Sequence, residues 1–245
     1  MSLSFISAGI AFDLTLKGIE ALKKCNEIYA EIYTSPIPKE EVKKLESLVG
    51  KNIEIIEREK VESDFLVEKA KDKKIGLIVV GDALIATTHI SLLIECKKKN
   101  ISYSIIHNSS IISAAIGKTG LQAYRFGKSA TLPYWKKNYE PTSPLECVEG
   151  NLGNNLHTIL FLDIDKELGP MEGNKGLEMI EKIEERLGRK IIEELIVLSR
   201  VGYKDEKITY GKLDELKKKE LGRPLLVFIV PAKLHPLEKE YLEFR

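Results

Sequence analysis

Cysteine is scarce in this chain of 245 residues: Cys25, Cys96 and Cys147 stand far apart and in no C-x-x-C spacing. That excludes a disulfide framework and a thiolate zinc site, and it fits a reducing compartment. No metal site is expected. Histidine is scarce too, with His89, His107, His157 and His235 spread along the sequence. Each reads first as a strand-end or helix-start residue making a hydrogen bond, and His89 alone borders a candidate ligand loop. No apolar run approaches the roughly 18 residues of a membrane span, so no membrane partner is expected. The N-terminal apolar segment has no basic n-region and is interrupted by Asp13, so it reads as a first strand and not a signal peptide. A basic excess is missing, since 38 Lys and Arg face 37 Asp and Glu for a net charge of +1. That argues against a nucleic-acid partner. A soluble, cytoplasmic protein is the expectation.

Familiar catalytic signatures are missing as well. Ser7-Ala8-Gly9 stands where a G-x-G-x-x-G would follow the first strand. Gly127-Lys128-Ser129 and Gly117-Lys118-Thr119 end like phosphate loops, but the first glycine that each requires is replaced by Gln122 and Ile112. Neither G-x-S-x-G nor H-E-x-x-H occurs. No paired carboxylates and no nucleophile with its base can be picked out. The chemistry is therefore one that needs little acid–base help.

What is present is a stretch from Lys74 to His89. Ile75 to Val80 is an apolar, β-branched run suited to a strand buried on both faces of a parallel sheet. Gly81-Asp82 breaks it, and Ile90, Leu93 and Ile94 begin a helix with period 3.6. In an open α/β sheet, ligands bind beyond the carboxyl ends of such strands. Gly81 admits close backbone approach, and Asp82 is the one anion in the loop. A cationic ligand with apolar parts would suit it; an ordinary strand-to-helix turn with an Asx cap is the plain alternative.

Around it, Leu3 to Ile10, Glu27 to Thr34 (closed by Pro36 and Pro38), Asn52 to Ile56 and Ile101 to His107 read as strands. Helices are expected with Leu14, Leu16, Ile19 and Leu22 on one face, over Lys39 to Val49, and over Phe65 to Lys71. Residues 1–107 thus make a parallel α/β domain. Residues 108–245 change rhythm. Strands are expected over Ser129 to Tyr134, His157 to Asp163, Glu194 to Ser199, Lys207 to Tyr210 and Leu225 to Val230, with a last one in the tail. Helices are expected over Leu145 to Leu152, Leu177 to Leu187 and Leu213 to Leu221. Fewer helices per strand imply a second α/β domain built on a mixed sheet.

Methyl transfer from S-adenosylmethionine is a chemistry of the required kind. The sulfonium is already activated, and the protein supplies proximity and orientation. At this point the residues resemble a family. Gly81-Asp82 followed by Leu-Ile-Ala-Thr-Thr-His resembles the GDPLVATTH loop of the diphthine synthases, which belong to the tetrapyrrole-methylase-like (class III) methyltransferases. Leu14 to Gly18 resembles the family's ITLKGLE, and Glu31 to Ser35 its AEFYTS. Gly120 to Thr131 resembles GLxxYxFGKSAT, and Val230 to His235 with Glu240-Tyr241-Leu242 resembles the VPGKLHxxEAEYL ending.

The resemblance implies two α/β domains with S-adenosyl-L-methionine in the cleft between them, leaving S-adenosyl-L-homocysteine as product, in a homodimer. It implies elongation factor 2 as the protein substrate, methylated on the amino nitrogen of a 3-amino-3-carboxypropyl-histidine. Archaeal members, which the short chain resembles, add three methyl groups to give diphthine. Residue by residue, it places cofactor contacts on Ile10, Asp82, Ile85, Ser110, Ile111, Leu162, Val201 and Leu226, and it assigns no catalytic acid or base. The family's G-L-G-L-Y is Ser7-Ala8-Gly9-Ile10-Ala11 here, its D-E-R-D is cut to Phe12-Asp13, and Ala83 replaces a proline. Losing that proline implies a looser turn. Alternatives are another class III methyltransferase acting on a tetrapyrrole or RNA, a cofactor-binding module without catalysis, and a scaffolding protein.

Overall fold

A computed structural model describes residues 1–33 and 39–244. Thr34, Ser35, Pro36 and Pro38, which close the expected second strand, lie outside the described residues. The chain divides into two compact units, Met1–Ile111 and Ile112–Arg245.

The first unit runs β1 (Ser2–Ser7), α1 (Leu16–Lys24), β2 (Glu27–Glu31), α2 (Lys39–Val49), β3 (Ile53–Ile56), α3 (Arg58–Val61), α4 (Phe65–Lys69), β4 (Lys74–Val79), α5 (Ile90–Lys98) and β5 (Ser102–Ile106). The sheet has the order β3-β2-β4-β1-β5 and is parallel throughout. Strand alternation divides its core in two. Leu3, Phe5, Ile75, Leu77 and Val79 pack with Leu66, Leu92 and Cys96 on one face. Ile6, Ile28, Ala30 and Ile78 pack with Leu22, Val42 and Leu45 on the other. That two-sided burial is what the unbroken apolar run of β4 encodes.

Two expected helix faces need correcting. In α1, whose start Thr15 caps by accepting from Gly18 N at 3.0 Å, Leu16 is 81% exposed while Gly18 and Leu22 are buried, because it is Gly18 and Leu22 that pack toward Ile6 of the sheet. In α5 the buried set is Leu92, Leu93 and Cys96, and Ile90 and Ile94 face outward. The short α3, Arg58–Val61, was not foreseen; its charged sequence carries no apolar period.

The second unit contains α6 (Ile111–Thr119, beginning at the last residue of the first unit), β6 (Ala130–Leu132), α7 (Ser143–Gly153), β7 (Thr158–Leu162), the hairpin β8 (Ile164–Asp165) and β9 (Gly169–Pro170), α8 (Gly173–Leu187), β10 (Glu194–Ser199), β11 (Lys207–Lys212), α9 (Leu213–Leu216), β12 (Leu226–Val230) and α10 (Pro236–Glu243). Its five-stranded sheet, β11-β10-β12-β7-β6, is mixed: β6 and β7 are parallel and the other pairs antiparallel. The charged helix expected to reach Leu221 ends at Leu216; Leu213 and Leu216 reach the core from the helix, and Leu221 reaches it from the chain beyond. The tail forms helix α10 and not a strand. His235 caps it, Pro236 stands in its first turn, and Glu238 completes the capping box. Among the described residues, no helix is long and apolar enough to cross a membrane.

Candidate functional site

Three neighbouring strands of the first unit, β4, β1 and β5, end side by side, and the loops leaving them are tied together. Gly9 N donates to Gly81 O at 3.1 Å, and Gly81 N donates back to Gly9 O at 2.8 Å. Both glycines sit at positive φ, +69° and +74°, where L side chains are strained. A Cβ on Gly9 would fall 1.8 Å from Asp13 Oδ1, but one on Gly81 would meet nothing within 4 Å. Gly81 therefore presents bare backbone to open space.

Asp82 turns inward from that loop and is 6% exposed. Its Oδ2 accepts from His107 Nδ1 at 2.8 Å and from Asn108 N at 3.3 Å, and its Oδ1 accepts from Leu84 N at 3.2 Å. Asn108 Nδ2 in turn donates to Asp13 O at 2.8 Å and Ser7 O at 3.3 Å. Asp82 and Asn108 thus fasten three strand ends to one another. The group that Asp82 holds at the surface is the His107 imidazole, whose side chain is 66% exposed. Only the fold pairs them; their distance in the sequence hides the contact.

His89 is enclosed, and both ring nitrogens are occupied. Nδ1 lies 2.9 Å from Ala83 O, a carbonyl that can only accept, so Nδ1 carries the hydrogen. Nε2 then accepts from the Tyr33 hydroxyl at 3.3 Å. Burial, followed by the charge on Glu31, pushes the Tyr33 phenol up to about 12, which keeps it a donor.

Ile10 lies half-buried in the turn after β1, Ile85 is exposed on the loop after β4, and Ser110 and Ile111 are half-buried where the chain leaves β5 and enters α6. With Asp82, these residues all follow the carboxyl ends of adjacent parallel strands, where such sheets bind ligands. In the second unit, Leu162 closes β7, Leu226 opens β12 and Val201 follows β10, all three buried. The registers Val227↔Phe161 and Ser199↔Leu226 bring them to one end of the sheet. Helix α8 lies against them through its glycines. A Cβ on Gly173 would be 3.3 Å from Leu226 Cδ2, and one on Gly176 would be 3.1 Å from Leu162 Cδ2.

The sequence reading missed a buried cluster in the second unit. Glu238 of α10, 1% exposed, accepts from Arg125 Nη1 (2.6 Å), His235 N (2.7 Å), Gln122 N (2.9 Å) and His157 Nε2 (3.2 Å). His157 Nδ1 accepts from Ala232 N at 2.9 Å. Burial pushes the His157 imidazole below its usual range. Burial pushes Glu238 upward, but its hydrogen bonds outweigh that and leave it lowered. The signal was available in the motif stretches around Arg125 and His235, which here bind α10 to the sheet.

The Tetrapyrrole (Corrin/Porphyrin) Methylases family model matches residues 2–217. A protein of Methanocella arvoryzae named diphthine synthase is 39% identical over 248 residues, covering 98% of this chain and 96% of its own. The diphthine synthase of Methanocaldococcus jannaschii is 40% identical over 240 residues, covering 95% and 93%. A crystal structure of diphthine synthase matches with a TM-score of 0.90 and 33% identity, over 100% of this chain and 95% of that one.

Proposed function

Because the chain belongs to the tetrapyrrole (corrin/porphyrin) methylase family and, within it, to the diphthine synthases, we propose that it is the S-adenosylmethionine-dependent methyltransferase that completes diphthine. Its acceptor on this reading is the 3-amino-3-carboxypropyl-histidine of elongation factor 2, methylated three times on the amino nitrogen. It works in the cytoplasm as a homodimer. The observation that carries this reading is the near full-length likeness to diphthine synthases at 39–40% identity.

The residues fit such a cofactor. Gly81 leaves open space where a side chain would stand. Ile10, Ile85 and Ile111 offer apolar surface on the chain that follows β1, β4 and β5. Asp82 serves the set by fixing the loop that carries it. When bound, S-adenosyl-L-methionine supplies a methyl group already activated by its sulfonium. The chain's own task is to align the acceptor amine with that carbon and exclude water. The amine lone pair would form the N–C bond as the methyl group left sulfur; the first two additions would release a proton to solvent, and the third, on a tertiary amine, would leave a quaternary ammonium with none to lose. His89, with both nitrogens engaged, holds the loop and stays out of the proton transfer.

The test is methyl transfer from labelled S-adenosyl-L-methionine to elongation factor 2 carrying the unmethylated side chain, read by mass spectrometry. Three successive methyl additions are expected. Label on a porphyrinogen or RNA instead would favour another class III enzyme, and saturable cofactor binding without turnover would favour a module that has lost catalysis.

A further inference from the structure

The second unit carries a cavity of about 440 Å³ that the cofactor contacts leave unexplained. Tyr134 and Trp135 line one side, the β8–β9 hairpin another, and Glu172, just before α8, with Lys175, Met179 and Lys182 along it, line the third. Its position follows from the sheet. Strands β6 and β7 run parallel with Leu132 opposite Leu162, so Tyr134 and Trp135 leave the sheet at the same end as Leu162. Tyr134 N donates to Asp163 Oδ2 at 3.1 Å, and Gly176, next to Lys175, packs against Leu162. The cavity therefore adjoins a proposed cofactor contact.

Its chemistry is mixed in a specific way. The Trp135 ring is held by its Nε1 donating to Pro141 O at 3.3 Å and by the Arg186 guanidinium 5.5 Å from the ring centre. Burial first, then the charges of Asp163, Glu172 and Asp165, push the Tyr134 phenol up and keep its hydroxyl protonated. Lys175 and Lys182 both pair with Glu178, at 2.9 and 2.7 Å, so the three carry one net positive charge. Glu172 precedes α8 without a side-chain capping bond. Cations, a carboxylate and aromatic faces in one cavity match an α-amino acid that bears a flat ring.

We propose that this cavity receives the acceptor: its carboxylate meets Lys175 and Lys182, its unprotonated amino group donates a hydrogen to Glu172 and keeps its lone pair free for the methyl group, and its imidazole lies against Trp135 and Tyr134. This rests on the function proposed above.

Trp135 is the only tryptophan in the chain, so its fluorescence reports the cavity without a label. Titrating the full-length protein with the free amino acid, an imidazole bearing the 3-amino-3-carboxypropyl chain, should change that emission saturably. Lys175→Met with Lys182→Met should abolish the change and raise KM for the modified elongation factor about tenfold, the loss of a charge-assisted contact. The kcat and the affinity for S-adenosyl-L-homocysteine should each stay within about twofold, and the Lys→Arg pair should restore KM. Methyl transfer with unchanged KM in the Met pair, or with no response of Trp135, overturns the cavity assignment alone. No methyl transfer by the unaltered protein, with homocysteine-product binding intact, overturns the functional reading and this one with it.

Discussion

Ser7 Oγ accepts the backbone hydrogen of Ala83 at 2.9 Å, and both residues are fully buried. These are two of the positions where the sequence departs from the diphthine synthase pattern, which has a glycine at the first and a proline at the second. A proline has no hydrogen to donate, and a glycine has no hydroxyl to receive it. Both departures therefore fall on one hydrogen bond. Ala83 O also accepts from Thr87 Oγ1 at 2.8 Å and from His89 Nδ1 at 2.9 Å. The turn expected to loosen without its proline is instead held through both backbone groups of Ala83.

The pair should therefore behave as coupled. Ser7→Gly leaves the Ala83 N–H buried and unpaired, at a cost of about 1–3 kcal/mol. Ala83→Pro alone leaves the Ser7 hydroxyl without its donor. The double change Ser7→Gly with Ala83→Pro should cost less than the two single changes summed, by about 1 kcal/mol in urea denaturation. Strict additivity would mean that the two departures are independent.

Gly9 and Gly81 separate strain from access. Gly81→Ala places a Cβ in open space at φ +74°, which should cost about 1–2 kcal/mol of stability through backbone strain alone. On the proposed function the same methyl group stands where the cofactor approaches, so affinity for S-adenosyl-L-homocysteine should fall about tenfold or more. Calorimetry on the folded variant decides it: a destabilised protein with unchanged affinity would remove Gly81 from the site.

Much of this architecture was legible because it is written locally. Strand β4 reads as buried from its β-branched run, and α2 ends where Gly50 takes φ +71°. Errors arose where tertiary contact overrides a local pattern. Leu221 continues the apolar positions of α9, yet it packs against Gly173 of α8 after the helix has ended. The tail was misread because histidine is an unusual N-cap, although Pro236 and Glu238 carried the capping signal. The site shows the same division. Gly81-Asp82 marks the loop, but nothing local shows Asp82 turning to His107 and Asn108 and away from solvent.

The Arg125–Glu238–His157 cluster should make the second unit acid-sensitive in two windows. The native state disfavours protonated His157, so the unfolded chain takes up that proton first. Stability is lost as pH falls below about 6.5, the unfolded imidazole value. Glu238 is lowered in the native state, so its contribution is present above its unfolded value and fades as pH falls through the folded one. Thermal unfolding between about pH 7 and pH 5 should show the first loss. His157→Gln, less stable throughout, should lack it and keep the lower, carboxylate-driven loss. An unchanged slope in that variant would place the acid sensitivity elsewhere.

The last expectation concerns the pH dependence of methyl transfer. The attacking amine must be unprotonated, so kcat/KM should rise with the titration of the acceptor itself. An enzyme histidine would add a limb near pH 6.5. His89 is the one histidine close to the Gly81 loop in sequence, and its environment argues against that role. Its Nδ1 hydrogen is spent on Ala83 O, and its Nε2 lone pair meets the Tyr33 hydroxyl. To act as a base, His89 would have to release Tyr33. His89→Gln should therefore lower stability by loosening the loop and reduce kcat/KM evenly across pH, leaving the shape of the profile unchanged. A limb near pH 6.5 that is present in the unaltered enzyme and lost in His89→Gln would make His89 the base. Methyl transfer here would then be more than alignment of amine and methyl carbon.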